Sequence, residues 1–281
     1  MQRDQLLRVS CALALTLLGS APIVHADKSG SFYASAGSDY SSGKYGQPTS
    51  TTIWDVPFTA GYSGQAWSFR VTVPWIRVSG PPNVIPGIGV IKNNNPLGRG
   101  LGRLLGGGGV TTPSTTTSGT ASGLGDVIAQ ATYHLLNDAP SQFALDVTGR
   151  VKFGTADVNK GLGTGQNDYG AEVDAYKGFG NAWTAFGGVG YTNLGSSTYI
   201  QLRNVWLANA GVNYKMDEAD SAGLYVFYQQ RPSTSGYSRR EATLYYNHKV
   251  DTAWSLQGYV LGGFSYGSPD YGIGASAKYA F

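Results

Sequence analysis

The sequence is poor in the residues that carry most metal and nucleophilic chemistry. Its 281 residues include one cysteine, two methionines and three histidines, and only 13% are charged. The cysteine, Cys11, lies near the N-terminus. Arg3 and Arg8 flank its approach, "CALALTLLG" (Cys11–Gly19) is a short apolar run, and "VHA" ends at Ala26. This is the pattern of a cleaved secretory signal peptide over 1–26. Its removal leaves 27–281 with no disulfide and no thiolate metal ligand. Cys11 sits inside the apolar run rather than at its end, which argues against a lipoprotein site. Beyond residue 26 no apolar run approaches the roughly 18 residues that a membrane helix needs. The formal charge is only +3 and the basic residues are scattered, so no nucleic-acid partner is expected. "DVNKGLGTGQND" (Asp157–Asp168) lacks the Gly and Glu of a calcium loop. "GSDYSSGKY" (Gly37–Tyr45) has one residue too many for a phosphate loop. No metal and no cofactor is expected.

What the chain has in quantity is glycine, 41 residues, and tyrosine, 19 residues, which favour turns and strands over helix interiors. The stretch "FALDVTGRVKF" alternates. Phe143, Leu145, Val147, Val151 and Phe153 share one parity, against Asp146, Thr148, Arg150 and Lys152. Successive strand residues point to opposite faces, so one face is greasy and the other charged. "WSFRVTVPW", "DYGAEVDAYKG", "EATLYYNHKV" and "AWSLQGYVLGGF" behave the same way. Segments of about ten alternating residues are the strand signature of a transmembrane barrel.

Twelve strands are expected, at 30–38, 51–62, 65–78, 123–136, 142–154, 167–178, 181–192, 199–214, 221–230, 238–249, 252–264 and 271–281. Short and long connections alternate between them, and both termini fall on the short side. Bacterial barrels have short periplasmic turns and longer outer loops, whereas a secreted β-sandwich has no reason for that alternation. The fold expected is therefore an all-β, antiparallel, up-and-down transmembrane barrel over 27–281. Its greasy parity faces lipid and its charged parity faces the lumen. Segment 79–122, rich in Gly, Ser, Thr and Pro, reads as one long outer loop. Its "VIPGIGVI" and "LGRLL" are apolar enough to fold back as a plug.

Lumen parity collects Arg70, Asp126, Asp146, Arg150, Lys152, Asp168, Glu172, Asp174, Arg203 and Glu241 as selectivity candidates. Opposite charges across neighbouring strands also stabilise a sheet by roughly 0.2–1 kcal/mol per pair. The same parity holds Tyr176, Tyr225, Phe227, Tyr245 and Tyr259, either a stacking surface for aromatic solutes or packing. A hydrolase would need a Ser beside a His that an acid orients. Beyond the signal region only His134 and His248 are present, both at strand ends near the periplasmic rim. His134 reads as a rim hydrogen-bonder and His248 as lipid-side, so no catalytic residue is assigned and no enzyme is expected.

The last strand, "YGIGASAKYAF", alternates and ends on Phe281. A terminal aromatic so placed resembles the C-terminal signal that the barrel assembly machinery reads in bacterial outer-membrane barrels. Gly123-Leu-Gly-Asp126, the Lys152–Gly154 strand end, Leu162-Gly-Thr-Gly165 and Asp168-Tyr169 resemble the outer-membrane family associated with the MetA pathway of phenol degradation. Where the family carries Pro-Thr-Gly, this chain reads "KFGTA". The resemblance implies a transporter-like barrel in the outer membrane of a Gram-negative bacterium, with lipid, the assembly machinery and small solutes as partners. The function expected is passive passage of small solutes, aromatic or hydrophobic ones among them. The alternatives are a non-conducting structural or adhesive barrel and an outer-membrane hydrolase.

Overall fold

A computed structural model describes residues 30–91 and 119–281. Its strands are β1 (Ser31–Gly43), β2 (Thr51–Ser63), β3 (Trp67–Gly80), β4 (Val84–Ile85), β5 (Gly89–Val90), β6 (Gly119–Leu124), β7 (Val127–Asp138), β8 (Phe143–Phe153), β9 (Asp168–Phe179), β10 (Trp183–Asn193), β11 (Val205–Lys215), β12 (Asp220–Gln229), β13 (Arg239–Lys249), β14 (Trp254–Gly263) and β15 (Tyr271–Ala280). Around the large sheet the strands pair antiparallel, β3 pairs with both β6 and β7, and β1 pairs with both β2 and β15. The sheet is closed. β6 and β7 are two halves of one strand, so the barrel has twelve, and β4 and β5 form a separate hairpin. The expected signal peptide, 1–26, lies outside the described residues, as does "LGRLL".

The break between β6 and β7 has a local cause. Trp75 pairs with Leu124 and Thr72 with Ile128, so three residues on one side oppose two on the other. Pro74 has no N–H for the ladder, and its carbonyl instead accepts from Gly125 N–H at 2.9 Å. One extra residue reverses parity. Ala121 and Gly123 face inward above the bulge, and Asp126, Ile128 and Gln130 below it.

The barrel turns its polar face in. Along β9, Asp168, Glu172, Asp174 and Tyr176 are buried while Tyr169, Val173 and Phe179 are exposed. β2, β10, β12 and β13 show the same alternation. The exposed surface carries Phe58, Val189, Leu244, Val260 and Ile273 at mid-height. Aromatic pairs ring both ends. Trp67–Tyr133, Trp183–Tyr214 and Trp254–Tyr279 lie at the short-turn rim, and Trp54–Trp75, Tyr191–Trp206 and Tyr40–Tyr271 at the long-loop rim. An apolar band between two aromatic girdles is the outer surface of a transmembrane barrel. Among the described residues no helix is long and apolar enough to cross a membrane.

Three strand limits differ from expectation by four residues or more. The strand expected from 123 starts at Gly119 and β3 runs to Gly80, so both ends of the expected outer loop 79–122 belong to the barrel. β1 continues to Gly43 rather than ending at 38, because Asp39 turns inward instead of opening a turn. β11 starts at Val205 rather than 199. Residues 199–204 leave the sheet, and Ile200 is buried with Ile85, Ile88, Ile91, Leu194 and Val205.

Candidate functional site

The lumen charges form separate networks. Near the long-loop rim, Lys152 Nζ lies 2.8 Å from Asp126 Oδ2 and 3.0 Å from Asp168 Oδ2. Both carboxylates also hold loops, since Asp126 Oδ1 accepts from Ala156 N–H and Asp168 Oδ1 from Gly195 N–H. On β13, Arg239 donates to both oxygens of Glu241 at 2.9 Å and lies 5.3 Å from the centre of the Phe227 ring. On β9, Glu172 and Asp174 face Asn209 of β11, whose amide donates to both at 2.8 and 3.3 Å. Opposite them, Asp39 and Asp55 are cross-strand partners, and Tyr259 O–H donates to Asp39 at 2.6 Å. Arg70 pairs in register with Gln130, and Gln130 with Arg150, so two guanidinium-bearing positions flank one amide.

The lumen aromatics pack on one another. Tyr176, Phe186, Tyr225, Phe227 and Tyr245 form one buried cluster with Ala144 and Leu207, and Tyr259 rests against it. Tyr245 O–H donates to Asn213 at 3.2 Å. These rings fill one side of the barrel.

The other side, toward the short-turn rim, stays open. A cavity of about 120 Å³ lies between β1–β3, β7, β14 and β15. Its lining is mostly hydroxyl and amide, with Arg70, Lys249 and Lys278 as cations and Asp251 as the one acid. Lys278 Nζ sits 5.4 Å from the centre of the Tyr33 ring. Ser68 reaches this wall and is hydrogen-bonded at 2.9 Å to His134 Nε2. His134 Nδ1 is in turn 2.8 Å from Asp146 Oδ1.

At the long-loop rim the β4–β5 hairpin folds inward. Pro86 and Gly87 (φ 77°) make a tight turn closed by Ile88 N–H to Ile85 O at 3.1 Å. Its apolar residues pack in two groups, against Leu194, Ile200 and Val205 and against Tyr45. Gly89 and Gly236 sit where a Cβ would meet the Gly267 and Val90 carbonyls at 3.3 and 3.0 Å. The hairpin thus touches four different outer connections.

Nine of the ten charged candidates and all five aromatic ones face inward. Arg203 does not. It lies in the 194–204 connection, exposed, with its N–H donating to Pro232 O at 2.7 Å. The reason is the late start of β11, at Val205, which strand parity could not register. His248 faces outward and pairs with Asp220 at 2.7 Å. Phe281 is exposed, its N–H donating to Phe32 O at 2.9 Å. His134 was expected as a rim hydrogen-bonder; it is hydrogen-bonded, and its ring is buried between an acid and a hydroxyl. Asp39, Asp55, Arg239, Lys278 and Asn209 were not expected. Asp39 and Arg239 lay at or beyond assigned strand ends, where parity is least readable.

No protein-family model matches the chain, and no curated protein matches it in sequence. The resemblance to the phenol-degradation family therefore finds no support there. Solved structures do match in fold. An outer membrane channel from Pseudomonas putida F1 superposes with a TM-score of 0.67 at 12% identity, over 91% of this chain and 97% of that one. The KdgM porin gives 0.52 at 8% identity over 88% and 99%, and the NanC porin 0.52 at 10% over 88% and 98%.

Proposed function

We propose that this chain is an outer-membrane channel for passive passage of small solutes. The observation that carries the reading is a closed barrel with a lipid-type outer surface, a charged lumen and an open cavity at its short-turn end. Its nearness in fold to an outer membrane channel and two porins supports the same reading. The short turns face the periplasm, and Phe281 serves the assembly machinery after the signal peptide is removed. The β4–β5 hairpin, seated over the outer mouth, works as a lid. Arg70, Arg150, Lys152 and the acids of β8 and β9 bias which solutes pass. Because the tyrosines pack on each other, their faces are not offered to solutes. Small polar solutes therefore fit the lumen better than aromatic or hydrophobic ones.

The seated hairpin and the packed rings also favour a second reading, a barrel that does not conduct. Swelling of liposomes holding the folded protein separates the two. Entry of small sugars, faster after deletion of about residues 82–120, is the result expected of a lidded channel. No entry through either folded form would leave the non-conducting barrel.

A further inference from the structure

Ser68, His134 and Asp146 stand on adjacent strands β3, β7 and β8, all facing the lumen. His134 and Asp146 are direct cross-strand partners, and Ser68 pairs with Thr132, one inward position from His134. The sheet therefore fixes the order Ser–His–Asp, with links of 2.9 and 2.8 Å. The side chains of His134 and Asp146 are only 2% and 1% exposed. Only Ser68 reaches the cavity. Neighbouring rungs are joined by simple hydroxyl pairs, Thr59–Thr72 and Thr132–Thr148, both 2.9 Å. Those pairs bridge strands without desolvating ionisable groups. A buried acid and imidazole cost more to take from water than such a pair does. The other described histidine makes the contrast. His248 also binds an Asp through Nδ1, but it faces outward and no hydrogen bond to a serine is made.

We infer that Ser68 is a nucleophile, activated by His134, and that the periplasm-facing cavity is a site for hydrolysis of small esters bearing an anionic group. The inference does not rest on solute passage. Asp146 is the positioning residue: it accepts from Nδ1–H and so leaves the Nε2 lone pair toward the Ser68 hydroxyl. Ser68 Oγ bonds to the ester carbonyl carbon while its proton moves to His134 Nε2. The C–O bond breaks and the alcohol leaves with that proton. Water then attacks the acyl-serine, gives its proton to His134, and the acid departs as Ser68 is re-protonated. Arg70, the next inward residue above Ser68, and Lys278 supply positive charge for the substrate anion and for the developing oxyanion. The cavity of about 120 Å³ limits the acyl group to a small one.

The test is labelling of the full, folded protein by a fluorophosphonate, read by mass and peptide mapping, alongside turnover of p-nitrophenyl acetate. Folding is checked by heat-modifiable gel mobility. The expected result is one adduct, on Ser68, absent in Ser68→Ala and retained in Ser63→Ala. His134→Gln, which keeps a hydrogen-bonding side chain, should slow labelling and turnover roughly 100- to 10,000-fold. Asp146→Asn should slow both at neutral pH and move the pH midpoint of labelling, which a merely structural Asp146 would not do. A folded barrel that takes no adduct at Ser68 overturns the inference. So does an adduct that forms equally well in His134→Gln or spreads over Ser31 and Ser63.

Discussion

Replacing Lys152 by Met removes the ammonium group that bridges Asp126 and Asp168. The side chain is nearly isosteric, so the change is electrostatic rather than steric. Lys152 and Asp126 are 11% exposed and Asp168 is 7% exposed, so water can restore little of what is lost. Removing one partner from a buried ion pair costs roughly 3–5 kcal/mol. Here each carboxylate keeps one backbone N–H, from Ala156 and Gly195, which places the expected loss near the low end, about 3 kcal/mol. Urea unfolding of the barrel in lipid vesicles, followed by tryptophan emission, measures it. The companion is Lys152→Met with Asp126→Asn and Asp168→Asn. Asn keeps the oxygen that holds each loop N–H and removes the uncompensated charge, so most of the stability should return. A single variant that loses less than about 1 kcal/mol, or a triple variant no more stable than the single, would refute the reasoning.

Further outcomes follow from other parts of the barrel. Gly211→Ala would set a Cβ 2.4 Å from the Phe186 ring and 2.7 Å from the Leu224 carbonyl oxygen, and should destabilise by roughly 1–3 kcal/mol in the same vesicle assay. Ile85→Asp puts a charge among Leu194, Ile200 and Val205; because the hairpin is not paired to the barrel sheet, the barrel should still fold while sugar entry rises toward that of the loop deletion. In the turn before β14, the Asp251 carboxylate accepts from Ala253 and Trp254 N–H, which holds it below the ordinary carboxylate range. Its contribution is present above the ordinary value of about 4 and fades as pH falls through the lowered one. Asp251→Ala should therefore narrow the stability difference between neutral and acidic pH, as seen in unfolding curves at the two pH values.

The architecture was legible because the strand period is two and barrel strands are long. Phe143 to Phe153 alone fixes which residues share a face, and the alternation of short and long connections tells lipid-facing grease from core. Parity fails where the strand is irregular. The bulge at Gly125–Asp126 shifts the register by one, and only the missing N–H of Pro74 explains it. Asp39 was lost because Gly37-Ser38-Asp39 looks like a turn, and Arg203 was misassigned because residues 199–204 pack on Ile85 and Ile88 instead of pairing. The serine–histidine–acid row was invisible for a different reason. Ser68, His134 and Asp146 are far apart in sequence and meet only through the registers of β3, β7 and β8. Strand parity says which way each points but not which rung each occupies. The aromatic candidates show the same limit: parity sent them inward, and only packing tells a lining from a filled wall.

Single-channel current across a planar bilayer tests most directly whether a water path runs through this charged lumen. The intact protein, the form lacking about residues 82–120, and Arg150→Ala in each are compared. The account predicts discrete current steps, larger or more frequent once the loop is gone, with a cation–anion preference that changes when the Arg150 charge is removed. Silence from both folded forms, or steps whose ion preference ignores Arg150, would contradict it.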